Sequence, residues 1–184
     1  MLALSGAGSV FAQDEIVLAV PFTSQAPYGF WGKPYGDACE EAALLNAHYF
    51  YLGKTFTKKT ARNEILKMVA FEKKKLGFYK DTTAEQTAFI AREYLTYANA
   101  RAVYDVTLED LKKEINKGNP VVVPLAGRML KNPFFTQPGP LYHMVTVRGY
   151  KNGTIITNDV GTRRGNAYAY DETVFYNAMH DFND

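Results

Sequence analysis

Up to Gly118 the apolar residues of this chain recur at helical spacing, and from Val121 onward they alternate. A helix-period pattern does not sit as a strand, nor the reverse, so this switch divides the chain into a helical first part and a sheet-forming second part. Helices followed by antiparallel strands define an α+β domain. The helical part carries its own start and stop residues. Asp37-Ala38-Cys39-Glu40 has the form of a capping box, an acceptor side chain followed three residues later by Glu, and opens a helix over 41–52 that Gly53 ends. A second helix is expected over 61–76 before Gly77. Thr83 with Gln86 opens a third to about Tyr97, and Thr107 with Asp110 opens a fourth that Gly118 closes.

In the second part, Val121 to Leu125 is the β-branched run of a buried strand. His143 to Tyr150 alternates, and Thr154 to Asn158 follows across Lys151-Asn152-Gly153, where Asn-Gly signals a hairpin. A further strand is expected over 166–170, and Asp171 caps a last helix through Met179. The Pro-rich stretch 127–140 reads as a surface loop of a length that often carries function.

The 184 residues are 47% hydrophobic and 22% charged, enough to bury one sizeable core. No repeat or linker divides them, so 14–184 reads as a single domain, expected to be monomeric. Lys+Arg 21 against Asp+Glu 19 is too balanced for the electrostatic footprint of a nucleic-acid binder. The single cysteine, Cys39, excludes an internal disulfide and a multi-thiolate metal site, and neither metal nor cofactor is expected. No stretch reaches the ~20 apolar residues of a spanning helix. Residues 1–13 are small and apolar, with Val10-Phe11-Ala12 in the pattern of a secretory cleavage site. They read as the remnant of a signal peptide, the alternative being a disordered tail or an early strand. The signal reading places the protein outside the cytoplasm, in the envelope or the medium.

Cys39 is either a small buried hydrophobe or a reactive thiol. A thiol in the first turn of a helix faces unpaired N–H groups and the positive end of the helix dipole, which favour the thiolate. Glu40 and Glu41 oppose that effect. A nucleophilic cysteine needs a base, and the chain has three histidines. His48 lies two and a half turns along the same helix and cannot reach the thiol. His180 follows the last element. His143 opens a strand and shares a face with Val145 and Val147. Its ring needs a third group to fix tautomer and orientation, and Asp159 ends the return strand. With Tyr150 opposite Thr154, Asp159 falls on the face of His143. A two-residue turn shifts the register and puts it on the other face, so the pairing requires a three-residue loop or a bulge. Gln25, 14 residues before Cys39, could donate its amide to a developing oxyanion beside the Cys39 N–H.

The ordered set Val20-Pro21-Phe22…Gln25, Trp31…Asp37-Ala38-Cys39-Glu40-Glu41-Ala42-Ala43-Leu44, Tyr142-His143-Met144-Val145…Gly149-Tyr150 and Thr157-Asn158-Asp159…Gly161-Thr162 resembles the papain-like cysteine peptidases related to bacteriocin leader-processing domains. The likeness spans about Val20 to Asp181. It implies a papain-like fold and hydrolysis of peptide or isopeptide bonds through a thioester. Cys39 is then the nucleophile, His143 the general base and acid, Asp159 the orienter and Gln25 part of the oxyanion hole. Trp31 and Tyr142 are the aromatic residues expected to touch a peptide or protein substrate. Many members carry Gly after the cysteine and Pro after the aspartate, where this chain has Glu40 and Val160. Two further readings stay open: a catalytically idle module that binds peptide or cell-wall polymer through the aromatics near Trp31, and a thiol acyltransferase.

Overall fold

A computed structural model describes residues 15–182. The expected signal remnant, 1–13, lies outside them. The helices precede the main run of strands: α1 (Cys39–Tyr51), α2 (Lys58–Lys75), α3 (Ala84–Glu93) and α4 (Leu108–Asn116). The sheet follows: β2 (Val121–Ala126), β3 (Tyr142–Lys151), β4 (Thr154–Asn158) and β5 (Tyr168–Asp171), with α5 (Glu172–Ala178) last. A three-residue strand, β1 (Glu15–Val17), opens the described residues, ahead of α1.

Both capping boxes after Gly77 form as their sequences require. The Thr83 hydroxyl accepts from the Gln86 N–H while the Gln86 side chain accepts from the Thr83 N–H, and Thr107 and Asp110 do the same. The third helix is shorter than expected, because Thr96 takes a positive φ of 64° and the chain turns away. The box expected at Asp37 does not form. Asp37 ends a 3-10 turn (Tyr35–Asp37), its carboxylate lies 3.3 Å from Lys80 Nζ, and α1 starts at Cys39 with Ala38 as an N-cap that offers no side-chain acceptor. Glu40, the other half of that box, is drawn into the interior instead.

All strand pairings are antiparallel. β3 is the central strand: β1 and β2 lie end to end along one edge, β4 along the other, and β5 beyond β4. Pro124 is tolerated because β2 is an edge strand and the ladder does not need its N–H. Alternation along β3 sends Met144 and Thr146 to one face, where the Thr146 hydroxyl donates to the Ala43 carbonyl of α1 at 2.8 Å. The core on that side joins Leu45, Ile65, Met68 and Ile90 from the first three helices. His143, Val145 and Val147 point to the opposite face, where Leu111, Ile115, Phe175 and Ala178 of α4 and α5 close a second core.

The β3–β4 register decides where Asp159 goes. The turn has two residues, Asn152 and Gly153, both at positive φ, and Lys151 pairs with Thr154. That register alone would send Asp159 to the wrong face. A bulge between Val147 and Gly149 takes up one residue, so that Thr146 opposes Asn158 and the chain enters Asp159 on the face of His143. Of the two devices that the pairing requires, the chain uses the bulge.

Candidate active site

The His143 ring and the Asp159 carboxylate meet at 2.8 Å, Nε2 to Oδ1, with both residues buried. A buried carboxylate survives only if its lone pairs are filled, and here donors from separate segments fill them. The Gly161 N–H donates to Oδ1 at 2.9 Å, Asn132 Nδ2 donates to Oδ2 at 3.1 Å, and the Tyr170 hydroxyl makes a short hydrogen bond to the same oxygen. Asn132 is itself tied to the Tyr170 hydroxyl at 2.7 Å. Burial pushes the Asp159 carboxyl up, but His143, Tyr170 and the Gly161 N–H outweigh it and hold the group below the ordinary carboxylate range. The ring is seated edge-on against Phe135, with centroids 5.3 Å apart. Gly161 has to be glycine: a Cβ there would stand 2.8 Å from His143 Cε1 and 2.9 Å from the Phe135 ring.

β4 stops at Asn158, opposite Thr146, and β3 runs on past it. That stretch pairs with β2 alone, and Cys39, the first residue of α1, packs against it beside Met144, one position beyond His143. The Gln25 N–H donates to the Val160 carbonyl at 2.9 Å, next to Asp159. The structure thus brings His143 and Asp159 together on one face of β3 and ties Gln25 by its backbone to the residue after Asp159, whereas Cys39 packs with Tyr142 and Met144 on the face of β3 toward α1.

Two of these side chains are not disposed as expected. The Gln25 amide donates to the Tyr35 and Gly36 carbonyls at 2.9 and 3.1 Å, which occupies both its N–H groups, and its Oε1 is buried without a partner. Cys39 was expected to titrate below an ordinary thiol. It is only 6% exposed, and burial first, then Glu40 and Glu41, push the thiol well up, with only the Met144 N–H acting the other way. The helix dipole is present, but α1 places two carboxyl groups inside the protein beside the sulfur.

Trp31 is 39% exposed on the 28–35 loop. An open cleft beside that loop is lined by Tyr28, Phe30, Tyr35, Lys59 and Arg62. Tyr142, expected to touch substrate, is instead 7% exposed, and its hydroxyl donates to the Thr82 carbonyl at 2.8 Å. Alternation along β3 accounts for this, since Tyr142 must face α1 if His143 faces away. His48 is half-buried, 2.9 Å from the Tyr97 hydroxyl.

Asn132, Phe135 and Tyr170 escaped the sequence reading as individual residues, and Gly161 stood in the motif without a role. Asn132 and Phe135 lie in the Pro-rich loop singled out as functional by its length, but nothing in a composition says which member turns inward.

A helix-borne thiol at the entry of a strand whose histidine pairs with a buried carboxylate defines a papain-like cysteine peptidase fold. The chain belongs to the Peptidase_C39 like family, whose model matches residues 17–183. A crystal structure of a provisionally assigned C39-like peptidase from Bacillus anthracis superposes with a TM-score of 0.60 at 19% identity, covering 90% of this chain and 92% of that one. No curated protein matches the chain. Among the described residues no helix is long and apolar enough to cross a membrane.

Behind the thiol, Glu41 of α1 and Glu72 of α2 are buried, and among the described residues no hydrogen-bond partner serves their carboxyl oxygens. Burial is the main cause that raises both; the charges of Glu72 and Glu40 add to it at Glu41, and that of Glu40 adds to it at Glu72, which is lifted to about 9. Between the ordinary glutamate range and that value the folded chain holds a proton that the unfolded chain releases. Stability is therefore greatest in mild acid and falls as pH rises through this window. The melting temperature should drop by roughly 5 °C or more from pH 5 to pH 8, and Glu72→Gln should reduce the slope. A pH-independent wild-type melting curve would refute the retained proton. Separately, Tyr170→Phe removes one donor from a buried charge and should cost about 1–3 kcal/mol in denaturant unfolding.

Proposed function

We propose that this chain is a cysteine peptidase that hydrolyses peptide or isopeptide bonds through a thioester on Cys39. The observation that carries the reading is the buried His143–Asp159 pair, with the second carboxylate oxygen held by Asn132 and Tyr170. A purely structural histidine does not need its partner charged and so completely held, whereas a base that must become an imidazolium does. With Nε2 committed to Asp159, Nδ1 is left to take the thiol proton once the Cys39 side chain leaves Glu40 and turns past the entry of β3 toward the ring. The sulfur then attacks the substrate carbonyl carbon, and the carbonyl π pair moves onto oxygen.

That oxyanion sits at the start of α1, where Ala38 supplies no side-chain cap and the Cys39 N–H is directed at the substrate. Gln25 joins it when one amide hydrogen leaves the Tyr35 or Gly36 carbonyl; its unpartnered Oε1 does nothing to hold the amide where it is. His143 returns its proton to the leaving amine, and water cleaves the thioester to regenerate the thiol. Membership of a C39-like peptidase family supports this chemistry. The rings of Tyr28, Phe30 and Trp31, exposed on the same side of the chain as the cleft, supply contacts for an extended peptide.

The closed thiol and the engaged Gln25 amide favour a second reading, a catalytically idle module that binds peptide without cleaving it. Cys39→Ala separates the two. It should abolish hydrolysis of a fluorogenic peptide library while leaving the melting temperature within a few degrees of wild type. Undiminished turnover in the variant would eliminate the thioester route, and saturable binding with no turnover in the wild type would establish the idle module.

A further inference from the structure

The residue after the proposed nucleophile is built into the site in a way that a peptidase mechanism based on Cys39, His143 and Asp159 does not use. Glu40 is fully buried. One carboxylate oxygen, Oε1, accepts the Thr82 N–H at 2.9 Å, and the other, Oε2, accepts the Cys39 thiol at 3.2 Å. The thiol hydrogen therefore points at a carboxylate and not at the histidine. We infer that Glu40 is a positioning residue for the nucleophile: as a carboxylate it holds Cys39 as a thiol, and as a carboxylic acid it releases the sulfur to His143. This rests on the peptidase reading in taking Cys39 to be the reacting group and His143 its base.

The proton accounting is simple. In the resting form the pair is Cys39–SH with Glu40–COO⁻. When the carboxylate takes one proton from solvent onto Oε2, the hydrogen bond reverses, and Oε2–H donates to the sulfur. The S–H proton can then pass to His143, leaving a thiolate that accepts a hydrogen bond where it previously faced a like charge. Thr82 keeps Glu40 in place in both forms, because Oε1 remains an acceptor throughout.

The surroundings make this exchange available near neutral pH. The groups facing Glu40 are Cys39 and Glu41 on α1, Glu72 on α2, Asp81 on the loop before α3 and Tyr142 on β3. All are acidic or neutral. Lys80 stands 3.3 Å from Asp37 and 3.8 Å from Asp81. Burial is the main cause that lifts the Glu40 carboxyl, and the Cys39 and Thr82 hydrogen bonds offset part of it, leaving it at about 7.

The test is the rate of Cys39 alkylation by iodoacetamide between pH 4.5 and pH 10. Cys39 is the one cysteine in the sequence, and the reaction needs no substrate. In wild type the rate should rise, level off near neutrality as Glu40 ionises, and rise again only above the ordinary thiol range. Glu40→Gln keeps the acceptor for Thr82 and presents a permanent N–H donor to the sulfur. It should remove the plateau and alkylate at least ~10-fold faster at pH 8, a shift of one pKa unit or more. A single wild-type step in the ordinary thiol range would overturn the inference without any variant. So would a folded Glu40→Gln protein whose profile superimposes on wild type. If the profiles differ as expected but no peptide is cleaved, the peptidase reading fails and the role of Glu40 stands.

Discussion

The charge on Asp159 is the constraint around which the rest of the site is arranged. An isolated carboxylate in a protein interior costs several kcal/mol, so its burial commits every segment that touches it. Four parts of the chain answer. β3 supplies His143, the loop after β2 supplies Asn132, β5 supplies Tyr170, and the turn after β4 supplies the Gly161 N–H. None of these can shift by an ångström without leaving a lone pair of a buried charge unfilled. The same donors that make the carboxylate tolerable thereby fix the plane of the imidazole. The bulge at β3–β4 is the backbone counterpart of this requirement, because it brings Asp159 to the one face on which those donors converge.

The other side of β3 is handled in the opposite way. There α1 buries Glu40 and Glu41 and α2 buries Glu72, with no cation paired to them among the described residues, and the interior keeps them by raising their proton affinity. Helix N-termini favour negative charge, so acidic residues in the first turn of α1 are unsurprising in themselves. Their inward orientation is what matters. It turns the region around Cys39 into one that disfavours a second negative charge, and a thiol at a helix start ceases to be acidic by default. One sheet thus separates a carboxylate that must stay ionised from the carboxyls of Glu41 and Glu72, which hold protons.

The sequence made the layers legible because they follow from periodicity. The switch at Val121, the Thr83 and Thr107 capping boxes and the Asn-Gly turn each act through neighbours a few residues away, and each forms as local chemistry dictates. Asp37 misled for the same reason: its box was plausible locally, but Lys80, far along the chain, offers its carboxylate an ion pair, and Glu40 finds Thr82. Tyr142 misled because aromatic residues beside a motif suggest recognition, whereas strand alternation binds Tyr142 to the face opposite His143. Burial of Glu41 and Glu72 left no local trace, since charged residues at helical spacing ordinarily mark a solvated face.

The loops flanking the site differ in what they are free to do. The 127–140 loop sends Asn132 to Asp159 and Phe135 to the edge of the His143 ring, so it is part of the machinery that fixes the base. Its inner residues cannot follow a substrate without disturbing that base. The 26–35 segment carries Tyr28 and Phe30 more than half exposed, and its links to the site run through backbone carbonyls held by Gln25. Adaptable recognition is therefore compatible with the second loop and not with the first. Because Gln25 grips the 35–36 carbonyls immediately before Cys39, any adjustment of that segment is transmitted to the start of α1, where the thiol, the Met144 N–H and Glu40 meet.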